Sequence, residues 1–178
     1  LVVRLIHACG MTDIADDIAC TPDCVETGRK ALAAGAAVLC DVEMVASGII
    51  RRGLAAEANI VTTISHPETA QIAHRIGNTR SAAAVELWRE HLGGSVVAIG
   101  NAPTALFHLL ELLDQGWPKP AVILAFPVGF VGAAESKAEL AANPRGIPFI
   151  TLNGRRGGSA MASAAVNALS LGLAGDGR

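Results

Sequence analysis

Two hydrophobic rhythms alternate along this chain. Short unbroken apolar runs, rich in Val, Ile and Leu, are each followed by a stretch whose apolar residues recur every three or four positions. The clearest pair lies mid-chain. Ser95–Ile99 carries an apolar run without alternation, Gly100 and Asn101 break it, and Pro103 opens a stretch with Leu106, Leu109, Leu110 and Leu113 at helical spacing. Proline suits a first helical turn, because the N–H it lacks would have no partner there. The pattern predicts strand, tight turn, helix. A strand with no polar face is covered on both sides, which points to a parallel sheet.

The same unit recurs on either side of this pair. Strands are predicted at Ala37–Val42, Ile60–Ile64, Ala121–Phe126 and Pro148–Leu152. Helices are predicted at Glu43–Arg52, Pro67–Ile76, Thr79–Leu92, Ala133–Ala142 and Ser159–Leu173. Ahead of them, Leu1–Cys9 is helix-compatible and ends at Gly10, a residue suited to the position after a helix. Met11–Cys20 has no clear period, and its Asp13, Asp16 and Asp17 predict a solvated face. A helix is expected from Thr21-Pro22 to about Ala34, with Thr21 as its N-cap. Five strand–helix units predict a three-layer α/β sandwich around a mainly parallel, five-stranded sheet of flavodoxin-like order. Ser95–Ile99 is the central strand of that arrangement. Residues 1–178 are expected to form one domain. The helical character already present at Leu1 predicts that a preceding N-terminal segment is missing.

Composition narrows the picture. The chain is 51% hydrophobic and only 3% aromatic, with no Tyr, so Ala, Val, Leu and Gly must pack the core. A net charge of −2 offers no basic excess for nucleic acid. No apolar run reaches the ~20 residues of a membrane span. Cys9, Cys20, Cys24 and Cys40 lack zinc or thioredoxin spacing and are read as free thiols of a reducing cytoplasm. No His or Cys spacing suggests a metal.

In open α/β sheets the ligand crevice lies beyond the carboxyl ends of the strands. The tips there hold Gly, Asn, Ser, Thr, Arg and Lys. Gly77-Asn-Thr-Arg-Ser81 brings Arg80 to a helix start. Gly100–Thr104 brings Asn101 and Thr104. Pro127–Lys137 is a glycine-bearing loop that runs into a helix with Lys137 near its first turn. Gly154-Arg-Arg-Gly-Gly-Ser159 brings Arg155, Arg156 and Ser159 to the start of the last helix. Helix N-termini attract anions, glycines admit a ligand close to the backbone, and Arg binds carboxylate or phosphate bidentately. Turns of this composition also serve any α/β fold. With four cations at one sheet edge, a cleft for a polyanionic small molecule stands level with that plain reading. Neither a Walker loop nor a dinucleotide fingerprint occurs. Arg4 and His7, spaced i, i+3, share a helix face, and the helix end near His7 favours a cation. Such a histidine is either a surface residue or a proton donor to a bound ligand. Asp41 and Glu43 end the first predicted strand, and a structural ion pair is the favoured role for them.

Several of these stretches resemble the precorrin-8X methylmutase family. They are Arg4-Leu-Ile-His-Ala-Cys-Gly10, Leu39-Cys-Asp-Val-Glu-Met-Val45, Gly77-Asn-Thr-Arg-Ser-Ala82, Gly94–Phe107, Pro127–Lys137 and Gly154–Met161. The resemblance implies an isomerase that moves a methyl group from C-11 to C-12 of precorrin-8X and yields hydrogenobyrinate. It implies His7 as the catalytic residue, Arg4 as a substrate-binding residue, a homodimer of flavodoxin-like subunits, and no added cofactor. The expected binding set is Arg4, Arg80, Asn101, Thr104, Lys137, Arg155, Arg156 and Ser159. Competing expectations are a non-catalytic tetrapyrrole carrier, the same reaction on a cobalt-loaded ring, and a phosphate-ester enzyme on the same fold.

Overall fold

A computed structural model describes residues 1–171. The strands are β1 (Ile18–Cys20), β2 (Val38–Cys40), β3 (Ile60–Thr62), β4 (Val96–Ile99), β5 (Val122–Ala125) and β6 (Phe149–Leu152). Their order across the sheet is β1-β6-β5-β4-β2-β3. β2 to β6 pair in parallel, and β1 runs antiparallel to β6. The five parallel strands thus have the flavodoxin-like order, with β4 in the middle.

β2, β4, β5 and β6 are buried on both faces, as unbroken apolar runs require, and the two edge strands β1 and β3 are only partly covered. Val96 and Ala98 of β4 belong to one core cluster and Val97 and Ile99 to the other, and all four are fully buried. Burying a Val or Ile side chain in this way contributes roughly 1.5–3 kcal/mol. The first cluster lies under α1 (Val2–Cys9), α2 (Cys24–Ala33), α3 (Glu43–Ser47) and α9 (Ser159–Leu171). The second lies under α5 (Arg80–Glu86), α6 (Arg89–Leu92), α7 (Pro103–Asp114) and α8 (Ala133–Ala142), with α4 (Thr69–Ile76) packed against α5. Small residues bring α9 close to the sheet. A Cβ on Gly100 would fall 2.7 Å from the Ser159 Cα and 2.9 Å from the Ala162 Cβ.

Four elements differ from the sequence-based expectation, each because of a partner distant in the chain. The sheet has a sixth strand, β1, in the Met11–Cys20 stretch that was expected to be a solvated face. Ile18, Ala19 and Cys20 pair with Leu152, Thr151 and Ile150 and cover the edge of β6. The helix expected over Glu43–Arg52 stops at Ser47. The Asn167 amide takes its next backbone groups, accepting from the Ile50 N–H at 2.8 Å and donating to the Gly48 carbonyl at 2.9 Å. The helix expected over Thr79–Leu92 divides into α5 and α6 at Leu87 and Trp88. There the buried Trp88 indole donates to the Thr63 hydroxyl at 2.9 Å. Thr21 does not cap α2; its hydroxyl accepts from the Phe149 N–H, and Asp23 stands at the N-cap. The expected end of the last helix at Leu173 lies outside the described residues.

Candidate active site

The loops after β2, β4, β5 and β6 emerge at one edge of the sheet and are tied to one another through their backbones. The Asp41 carboxylate, just past β2, accepts from the N–H groups of Gly100, Asn101 and Ala102, each at 2.9 Å. The Asn101 carbonyl accepts from the Val128 N–H, and the Arg155 carbonyl from the Gly129 N–H, both at 3.3 Å. The Phe126 carbonyl accepts from the Gly158 N–H at 2.8 Å. Lys137 reaches in from α8 and donates to the Arg156 carbonyl at 2.5 Å. These bonds run unbroken from the β2 tip to the start of α9, so the tips form one platform.

α1 brings its C-terminal end to this platform. It packs along α9 and ends at Gly10, whose φ of 70° suits a residue without a side chain and whose N–H bonds the Ile6 carbonyl at 2.7 Å. The chain then passes Arg156, which lies just ahead of α9. Its guanidinium is 3.9 Å from the Met11 sulfur and 2.6 Å from both the Asp13 and Asp17 carboxylates. Those two carboxylates raise the Arg156 pKa, and the guanidinium lowers that of Asp13. The last turn of α1, with its exposed His7, therefore stands at the same edge as Ser159.

The remaining candidates are placed as follows. Arg80 opens α5 and donates to the Ile64 carbonyl at 3.0 Å. Its neighbour Thr79 caps α5 and pairs its hydroxyl with that of Thr104 at 2.7 Å, which brings the starts of α5 and α7 together. Asn101 is exposed. The Arg155 guanidinium stacks over the Phe130 ring at 5.9 Å. Phe130 and Val131 are 84% and 89% exposed, so an apolar surface lies beside that cation. Lys137 is fully buried, and burial pushes its pKa down to about 8.

Sequence reasoning missed the roles of four acids. Asp41 takes three backbone amides rather than an arginine. Glu43 accepts from the Thr62 hydroxyl at 2.6 Å, and Asp13 and Asp17 hold Arg156. The usable signal for Asp41 was its place directly after β2, one strand from the Gly100 turn. Burial pushes the Cys24 thiol up to about 11 and the Cys40 thiol up to about 12, so neither is a ready nucleophile. Among the described residues, no group of three or more His, Cys, Asp or Glu is arranged to hold a metal ion. A groove along α3 is lined by Glu43, Ala46, Ser47, Ile49 and Arg51, and another by His66, Glu68, Glu86 and Arg89; the candidate cations line neither. The edge offers exposed apolar surface at Phe130 and Val131 with the Arg155 guanidinium beside it.

The family model CbiC, precorrin-8X methylmutase, matches residues 1–171. The chain belongs to the precorrin-8X methylmutase family. It is 62% identical over 170 residues to the precorrin-8X methylmutase of Pseudomonas aeruginosa, covering 96% of this chain and 82% of that one. It is 38% identical to the cobalt-precorrin-8 methylmutase of Priestia megaterium, covering 96% and 76%. A solved structure described as a precorrin-8X methylmutase related protein superposes with a TM-score of 0.87 at 34% identity, covering 96% of this chain and 88% of that one. Membership in the precorrin-8X methylmutase family makes the chain an isomerase of cobalamin biosynthesis, one that shifts a methyl group within its substrate. The likeness extends over the whole platform, from α1 through α9. Among the described residues, no helix is long and apolar enough to cross a membrane.

Proposed function

We propose that this chain converts precorrin-8X to hydrogenobyrinate by moving the methyl group from C-11 to C-12, as a cytoplasmic homodimer, with His7 as the proton donor. The observation that carries this is the clamp of Arg156 on Asp13, Asp17 and Met11, which anchors the His7 end of α1 beside the start of α9. The substrate is a largely apolar ring edged with carboxylates. Phe130 and Val131 offer it an apolar floor, and Arg4, Arg80, Arg155, Asn101, Thr104 and Ser159 offer donors for its rim. Lys137 and Arg156 shape the loop that carries Arg155.

A methyl shift within one molecule needs no nucleophile and no external reductant. A proton placed on the conjugated ring lowers the cost of the migration, and the same proton returns afterwards, since substrate and product are isomers. We assign the giving and retaking of that proton to His7, which is exposed in the last turn of α1, next to the segment that Arg156 holds. The exposed apolar pair Phe130 and Val131 leaves surface that a second copy could cover, in keeping with a homodimer. Greater identity to the relative named for precorrin-8X than to the one named for cobalt-precorrin-8 favours the metal-free ring.

His7→Phe tests this. The variant is expected to bind hydrogenobyrinate as the parent does and to lose about 10²–10⁴ in turnover, the usual contribution of a positioned acid. Turnover is followed by the absorbance change from precorrin-8X to the isomerised ring. A His7→Phe variant with near-parental turnover removes His7 from the mechanism. A parent that binds the ring without changing its spectrum is a carrier.

A further inference from the structure

Asp41 lies where an open parallel sheet normally receives its ligand. β2 leads to α3 on one face and β4 to α7 on the other, so the connections diverge between these two neighbouring strands. That divergence is the usual binding crevice. The N–H groups of Gly100, Asn101 and Ala102 converge there ahead of Pro103, in the position that would receive a ligand's anionic group. Here the chain fills the position itself. Asp41 is 1% exposed, its Oδ1 accepts from Gly100, and its Oδ2 accepts from Asn101 and Ala102. Three donors and no acceptor face it, an arrangement matched by an ionised carboxylate and mismatched by an amide.

The turn is held from the other side as well. Gly100 has no room for a Cβ against Val45, Ser159 and Ala162, so the loop cannot retreat toward α9. From this clamped turn, Asn101 bonds the β5 loop through Val128, and Thr104 bonds Thr79, the neighbour of Arg80. A displacement here would move three loops at once.

We propose that Asp41 is a positioning residue of the methylmutase site: an internal anion that fixes the Gly100–Thr104 turn for the substrate and closes the crevice between β2 and β4 to the ligand's own carboxylates. The proposal rests on the functional reading above. It places the substrate's carboxylates on the Arg80 and Arg155 flanks of the platform instead of at the start of α7.

Asp41→Ala opens a space the size of a carboxylate, which formate fits. In the 178-residue chain the variant is expected to bind hydrogenobyrinate with parental stoichiometry while kcat falls by up to about 10²-fold, the scale of a small misplacement of binding groups. Formate, but not chloride at equal ionic strength, is expected to restore part of the loss, and to leave the parent and His7→Phe unchanged. Amide hydrogen exchange at Gly100, Asn101 and Ala102 is expected to quicken in the variant and slow again with formate. A folded Asp41→Ala chain with parental kcat and KM overturns the proposal, as does a loss that formate does not touch. If that variant does not fold, Asp41→Asn decides: a lowered kcat supports the proposal and parental kinetics overturn it. If the parent itself fails to isomerise precorrin-8X, the functional reading falls, while the exchange measurement still tests the anion's hold on the turn.

Discussion

A lysine with no exposed surface and a single carbonyl partner is costly to keep charged. Lys137 is in that position, and burial pulls its pKa to about 8 from the ordinary 10.5. Below pH 8 the folded and unfolded chains both hold the proton, and the penalty is fully present. Between about 8 and 10.5 the folded chain has released a proton that the unfolded chain still holds, so stability rises with pH across that window. A shift of this size is worth at most about 3 kcal/mol. Lys137→Met has no such titration. Urea unfolding of the two proteins at pH 7.5 and at pH 10 should therefore show the parent gaining on the variant at the higher pH. A constant difference between them would mean that the amine titrates normally. The sequence presents Lys137 as a cation near a helix start, and nothing local distinguishes an ammonium offered to a ligand from one turned into the loop below. Arg156 is similar: its two carboxylate partners, Asp13 and Asp17, are 143 and 139 residues away.

Among the elements, the strands with unbroken apolar runs were legible, because burial on both faces writes itself into every residue. β4, Gly100, Pro103 and α7 follow the predicted order closely, and β2, β5 and β6 fall within their predicted runs. β1 was not legible: three residues at a sheet edge carry no period, and the acids before it read as solvated until Arg156 is seen between them. The early stop of α3 likewise depends on Asn167, 119 residues from Gly48. Glycines in the last loop separate local from tertiary constraint. Gly154 has a φ of 81° and open space around it, so Gly154→Ala should cost only the ~1–2 kcal/mol of a left-handed residue. Gly157 has no positive φ, but a Cβ there would run into the carbonyl oxygens of Phe126 and Pro127, which are backbone atoms and cannot step aside. Gly157→Ala should destabilise the fold by more than Gly154→Ala, by about 1–3 kcal/mol of overpacking strain. It should also displace Arg155 and so weaken ligand binding. Denaturant midpoints for the two variants check the order, and the reverse order would show that the loop crossing is not tight.

At the scale of the molecule, a net charge of −2 cannot draw in a polyanion, so attraction must come from the platform edge alone. Local attraction of exposed charges is screened over about 10 Å at 0.1 M salt. Affinity for hydrogenobyrinate should therefore fall steadily as salt rises. Arg4→Ala, Arg80→Ala and Arg155→Ala should each weaken binding at low salt and flatten that dependence, with kcat changed less than KM. Arg156→Ala should behave differently. Its guanidinium is already bound to Asp13 and Asp17, and its loss frees the segment that anchors the His7 end of α1. Its effect should fall on kcat, with the salt dependence of binding close to the parent's. Titration of the four variants at several salt concentrations, followed by turnover measurements, separates the two behaviours. Unchanged affinity in all of the first three would place the ligand's carboxylates away from this edge. A parental kcat in Arg156→Ala would show that α1 keeps its position without the clamp.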